Sequence, residues 1–256
     1  MNSRTLAKLG SVFLIIVGAT IIAGIEGQQP DWTDESQFFS FSNVENKLYT
    51  VSVQNCEDSD WGMNLGGTWP YPSSLTFAWE DKNILIGYSE ANNKLIHFDL
   101  AARDIDKYSI AECDVAGIGG LAYCINGILY AIPGDVLYTV NPYSCGMSEI
   151  GPLGVSLENR GLACHPETNE LYAFGSATDM LYRIDKSTGE AEPVGPLNYD
   201  ITGGVGIEFS LGLLSTRLYG ILDDKLYEIN PSTGAGTYIC EMNHGGSNNL
   251  AVRMKP

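Results

Sequence analysis

The chain has 256 residues, 44% of them apolar, and a formal net charge of −17 from 14 Lys plus Arg against 31 Asp plus Glu. That apolar content supports a sizeable core and argues against disorder, while the broad negative field argues against nucleic acid or an anionic membrane surface as partner. Cationic partners, divalent metals or plain solubility fit better.

Arg4 and Lys8 precede 17 uncharged residues, Leu9 to Ile25, and then Glu26, Gly27 and Gln28. Residues 1–27 read as a secretory signal with small residues at Ala23, Gly24 and Gly27, or as an uncleaved anchor at residues 9–25, since 17 apolar residues lie at the lower limit for crossing a bilayer. Either reading places the body outside the cytoplasm, secreted or extracytoplasmic, with membrane contact only if the leader is retained. Residues 28–37 form a short tail before the first repeat.

From residue 38 the chain repeats itself. Lys47-Leu48-Tyr49-Thr50-Val51 returns as Lys94-Leu95-Ile96-His97-Phe98, Val136-Leu137-Tyr138-Thr139-Val140, Met180-Leu181-Tyr182-Arg183-Ile184 and Lys225-Leu226-Tyr227-Glu228-Ile229, with the leucines 47, 42, 44 and 45 residues apart. Four copies run into turns such as Asp185-Lys186-Ser187-Thr188-Gly189 and Asn230-Pro231-Ser232-Thr233-Gly234, which suit a hairpin with a left-handed position at the Gly. An earlier phrase precedes each copy: Gly120-Leu121-Ala122-Tyr123, Gly161-Leu162-Ala163-Cys164 and Gly204-Val205-Gly206-Ile207, with Ser74-Leu75-Thr76-Phe77 as a looser version. Between the two lies Leu129-Tyr130-Ala131 or its relative, and after the hairpin comes a short fourth strand such as Glu192 to Leu197.

Four short β-branched and aromatic strands at this spacing mark a propeller blade. The N-terminal copy, beginning at Phe38, lacks a first strand, and Asn249-Leu250-Ala251-Val252 supplies one. The expected fold is therefore all-β, a single domain over residues 38–254: a five-bladed β-propeller closed by pairing the C-terminal strand into the N-terminal blade. Closure of this kind hides the sheet edges that a linear array leaves open.

Leu181-Tyr182-Arg183-Ile184-Asp185-Lys186-Ser187-Thr188-Gly189 resembles the Leu-Tyr-x-Ile-Asp-x-x-Thr-Gly phrase of exported quinoprotein-like and related propeller superfamilies. The resemblance implies the fold rather than a function. It does not extend to quinone binding, because Pro193-Val194-Gly195 stands where quinone-binding members have Trp. No cofactor is expected.

Six cysteines, Cys56, Cys113, Cys124, Cys145, Cys164 and Cys240, form an even set in an exported chain and predict one to three disulfides among fifteen possible full pairings. Their spacing does not fit zinc. Glu57, Asp58 and Asp60 form an acidic stretch without the distant bidentate acid of a calcium loop, so it reads as a solvated turn. Asn46, Asn93, Asp135, Asp179 and Asp224 share one position before the repeated Leu, where turn chemistry accounts for them. No metal ligand set is assigned.

Ligand sites on propellers gather on loops at one mouth of the channel, and rigid scaffolds generally carry function on loops. The interblade loops here give seven candidates: Trp61, Trp69, Tyr71, Arg160, Tyr199, Asp200 and His244. Trp61, Trp69 and Tyr71, stiffened by Pro70 and Pro72, offer rings for a sugar or peptide. His244 is the histidine best placed for a mouth; His97 lies in a strand and His165 in a turn.

No catalytic set is assigned, and the leading reading is a non-catalytic extracellular binding or scaffold domain for a carbohydrate, peptide or protein. The alternatives are a secreted glycoside hydrolase or lyase using two of Glu158, Asp200 and Glu208, whose carboxyls would face each other across about 5–9.5 Å, and a structural surface component.

Overall fold

The protein is described from a computed structural model over residues 36–63, 72–211, 215–247 and 249–254. Strands β1 (Ser36–Ser42), β2 (Lys47–Val51) and β3 (Asp58–Asp60) come first. Four-strand runs follow: β4 (Pro72–Phe77), β5 (Ile84–Ser89), β6 (Lys94–Asp99) and β7 (Asp104–Glu112), then β8 (Ile118–Tyr123), β9 (Leu129–Pro133), β10 (Val136–Val140) and β11 (Met147–Pro152). The next are β12 (Arg160–Cys164), β13 (Leu171–Gly175), β14 (Met180–Ile184) and β15 (Ala191–Pro196), then β16 (Val205–Leu211), β17 (Thr216–Leu222), β18 (Lys225–Ile229) and β19 (Gly236–Glu241). β20 (Ala251–Met254) ends the series.

These strands make five four-stranded antiparallel sheets, and the sheet order β20-β1-β2-β3 closes the ring. Val252 pairs with Phe38 and Ala251 with Phe39, so the expected join is present. We number the closing sheet blade 1 and the others blades 2 to 5 in chain order. The innermost strands β20, β4, β8, β12 and β16 stand side by side around the axis.

The repeated leucines Leu48, Leu95, Leu137, Leu181 and Leu226 are all buried, and each stabilises the fold by roughly 1.5–3 kcal/mol. They join apolar clusters that lie between blades rather than at one centre. Burial on both faces of a sheet is what makes the strands so uniformly apolar.

Cross-strand register corrects one sequence alignment. Leu162 and Ile207 face Ala173 and Gly220 at the equivalent position of their neighbouring strands, so Gly206-Ile207-Glu208-Phe209, not Gly204 to Ile207, matches Gly161-Leu162-Ala163-Cys164. Thr76, Ala122, Ala163, Glu208 and Ala251 then occupy one ring of equivalent sites. Four blades place a small side chain there and blade 5 places a carboxyl.

The turns joining third to fourth strands follow the expected chemistry, with Asp99, Asn141, Asp185 and Asn230 each accepting backbone N–H bonds through Oδ1 from residues two or three ahead. Gly189 and Gly234 take the left-handed conformation, but in blade 3 it is Cys145, at φ 52°, rather than Gly146.

Each such turn packs against the outer strand of the preceding blade. A Cβ on Gly189 would strike the Gly151 carbonyl, and one on Gly234 the Gly195 carbonyl, so these two seams close only with glycine. Disulfides Cys113–Cys145 and Cys56–Cys240 hold the seams between blades 2 and 3 and between blades 5 and 1. Between blades 1 and 2, the Arg103 guanidinium lies 5.4 Å from the centre of the Trp61 ring. The third disulfide, Cys124–Cys164, ties blade 3 to blade 4 beside the channel.

Among the described residues no helix is long and apolar enough to cross a membrane. The leader read at residues 1–27 lies outside them.

Candidate functional site

One face of the ring carries the interblade loops and the turns between second and third strands. Here the repeated Asn and Asp residues act as clasps on the following interblade loop. Asp135 Oδ1 accepts from Leu157 N–H, Asp179 Oδ1 from Ile201 N–H, and Asp224 takes the N–H groups of Gly246 and Ser247. Asn93 donates to the Cys113 carbonyl. Asn46, Asn93, Asp179 and Asp224 have positive φ, as turn formers should.

The sequence candidates on this face are largely engaged in holding it together. Trp61 meets Phe39 edge-on at 5.3 Å as well as Arg103. Arg160 extends over Gly119 and donates to the carbonyls of Ile132, Glu158 and Gly117, tying blades 3 and 4. His244 is only 2% exposed, its ring stacked 4.3 Å from that of Tyr49 and its Nδ1 2.6 Å from Asp58 Oδ2, so it lies within the seam of blades 5 and 1.

Tyr199 is exposed and packs 4.9 Å from Tyr227, with Tyr238 on the far side; Asp200 is exposed in the same loop. Trp69 and Tyr71 lie outside the described residues. The five described candidates, Trp61, Arg160, Tyr199, Asp200 and His244, are thus spread over several seams instead of meeting at one wall.

The opposite face carries the turns between first and second and between third and fourth strands, and there a cleft opens. Its wider part, about 90 Å³, lies between blades 2 and 3 and is walled by Ile84, Ile86, His97, Tyr123 and Tyr143, with Glu80 and Asp81 at the rim. Across Tyr123 it adjoins a cavity of about 30 Å³ at the end of the channel, lined by Thr76, Tyr123, Cys164, Glu208 and Val252 from the five inner strands, and by Trp79 and Lys82 from the turn after β4. Trp79, Ile128 and Tyr143 stand exposed around it, Tyr143 at 68%.

Local chemistry sets these groups in place. Asp81 Oδ1 accepts from Asn83 N–H, closing the turn that presents Trp79, while Tyr123 OH donates to Glu80 Oε1 at 2.9 Å. The His97 ring nitrogen Nε2 lies 2.8 Å from the Pro142 carbonyl and so steadies the turn bearing Tyr143. His165 Nδ1 accepts from Glu167 and Thr168 N–H, a turn role like that of the Asx residues.

Glu208 is the group out of keeping with its surroundings. It is 8% exposed, and among the described residues its carboxyl accepts one bond, from Phe209 N–H at 3.0 Å. Burial pushes its pKa up to about 8, against the opposing pull of that N–H and of Lys82. Lys82 Nζ sits 4.2 Å from the Trp79 ring centre, and burial lowers its pKa while Glu208 and Glu80 oppose the change. Two residues along β16, Ser210 Oγ is buried without a hydrogen-bond partner among the described residues.

The carboxylates considered for hydrolysis are not gathered. Glu158 and Asp200 lie exposed on the interblade face, and Glu208 lines the cavity at the other end of the channel. Among the described residues no group of three or more His, Cys, Asp or Glu is placed to hold a metal ion.

Sequence reasoning missed this cleft although two signals pointed to it. Trp79 occupies a turn position where the next two blades have Ile125 and Pro166, and Glu208 stands at a position otherwise filled by Thr or Ala. The second signal was hidden by the two-residue misalignment of Gly204 to Ile207.

The described architecture defines a five-bladed β-propeller. No family model matches the chain, and no curated protein matches it. Among solved structures, one of a nidogen/laminin complex is similar over 86% of this chain and 98% of the other, with TM-score 0.59 and 9% identity. Another, described under the de novo evolutionary emergence of a symmetrical protein, matches the same shares with TM-score 0.58 and 17% identity. At these identities the likeness is one of fold.

Proposed function

We propose that this chain is an exported, non-catalytic binding domain that holds a protein partner at the cleft beside the channel. The observation that carries this reading is the convergence of Trp79, Tyr123 and Tyr143 from two blades around Glu80 and Asp81. Exposed aromatic rings at a groove supply contact area at little cost in side-chain entropy, which is why they anchor interfaces. The pairing of all six cysteines supports an oxidising compartment. A protein partner also agrees, by fold alone, with the protein–protein pair in the nidogen/laminin structure.

Protein and glycan arrays probed with the wild type and three variants test the reading. Binding to protein spots, lost in Trp79→Ala and in Tyr143→Ala but kept in Trp69→Ala, is the expected outcome. Loss in Trp69→Ala alone would move the site to the interblade mouth. Binding confined to glycans would replace the protein partner with a carbohydrate.

A further inference from the structure

We infer that the cleft receives a lysine side chain of the partner protein, and that Lys82 occupies the place of that ammonium in the free protein. This rests on the cleft being the binding site. The first support is Glu208, a nine-tenths-buried side chain that lines the end cavity and whose Oε2 has no partner among the described residues. A buried carboxyl left with one bond from its own neighbour is costly, and a donor arriving from outside relieves that cost.

Size and charge select the donor. The end cavity, about 30 Å³, is near the share of liquid volume of one water, so it admits an ammonium head and not a sugar ring. A guanidinium is a wider planar fork than that space takes. The adjoining 90 Å³, about three such volumes, accepts the methylene stem between aromatic walls. Glu80 and Asp81 at the rim, on a chain of net charge −17, favour a cationic visitor.

The molecule already shows the arrangement with its own residue. Lys82 lies over Trp79 as a cation on a ring face, and no carboxylate pairs with it within 4.0 Å among the described residues. A cation that rests on a ring and feels Glu208 and Glu80 only beyond ion-pair distance is readily displaced by one that reaches Glu208 directly.

Proton linkage follows from what faces Glu208. Lys82, itself acted on by Glu80, approaches it from the turn after β4, Tyr123 shares its cavity from β8 and Tyr219 pairs with it from β17, whereas Arg253 on β20 is engaged with Asn83 and Gln37. Glu208 stays protonated up to about pH 8. An ammonium binding below that pH must therefore release the proton to solvent, so affinity rises with pH and levels off near 8.

The test follows the Trp79 indole N–H resonance, assigned with Trp79→Phe, during titration of the full chain with n-butylammonium, with butan-1-ol as uncharged isostere. The expected result is saturable shifting by butylammonium, at least tenfold weaker shifting by butanol, and affinity rising several-fold between pH 6 and pH 8. Glu208→Gln, checked for a cooperative melting transition no lower than that of the wild type, should bind at least tenfold more weakly above pH 8 and lose the pH dependence, and Lys82→Met should bind more tightly. Equal binding of the alcohol, or an indifferent Glu208→Gln, overturns the inference. If arrays show binding through Trp79 while butylammonium fails, the cleft reading stands and the lysine falls; if both fail, both fall.

Discussion

The two mouths of the channel are built from the same repeat and differ in where their unpartnered polar groups lie: among the described residues Trp61 Nε1 and His244 Nε2 are enclosed in packed seams, whereas Glu208 lines a cavity. At the interblade mouth, Asp135, Asp179 and Asp224 spend their carboxylates on loop N–H groups, and Arg160 spends three donors on carbonyls. At the other mouth, Glu208 has one bond among the described residues, Lys82 rests on a ring, and Tyr143 stands in solvent. Polar groups satisfied inside the protein hold its shape, and those left unsatisfied beside a cavity are the ones available to a partner. Loop position alone does not separate these cases; the hydrogen-bond partners do.

The largest expected effect breaks the ring at its join. Replacing Cys56 and Cys240 together with Ser should cost about 2–5 kcal/mol in urea unfolding, more than the same change at Cys113 and Cys145, because the first bond encloses a separation of 184 residues and the second 32. Glu208→Gln comes next and acts through pH. The folded carboxyl titrates near 8 and the unfolded one near its ordinary 4.5, so the folded state binds more protons between these values and the wild type loses stability as pH rises through them. The variant should gain on the wild type across that window by a few kcal/mol, read from unfolding curves at fixed pH, and keep the gain above it.

Asp224→Ala should destabilise by roughly 1–3 kcal/mol by leaving the Gly246 and Ser247 N–H groups unpaired, and hydrogen exchange at Ser247 should accelerate. Butylammonium binding at the far mouth should not change. Trp79→Ala, at an exposed turn, should shift stability by no more than about 0.5 kcal/mol yet remove binding. Unfolding of Trp79→Ala, together with loss of butylammonium binding in Asp224→Ala, would show that the two mouths have been assigned the wrong roles.

Much of the fold was legible because each blade restates it. Leu48 and its four equivalents set the period, and the partial copies at Phe38 and Asn249 fixed the number of blades through their phase. The Asn and Asp turn formers were read correctly for backbone reasons, but their grip on the next loop was not, since Asp179 and Ile201 meet only after the blades stack. The cysteine pairing was hidden for the same reason.

The cleft was the least legible part. Tyr123 and Tyr143 belong to different strand-turn units of blade 3, and they meet Glu80 and His97 of blade 2 only across the seam. A period read along the chain reports what the blades share, whereas Glu208 matters as the one member of its ring that differs.

Amide chemical shifts of the whole chain, mapped during butylammonium titration, test the division between the mouths most directly. Saturable shifts should be confined to Ala78–Asn83, Tyr123–Ile128, Pro142–Tyr143 and Glu208, with Leu157, Ile201 and Ser247 unmoved. Shifts centred on Leu157, Ile201 and Ser247, with Glu208 silent, would contradict it.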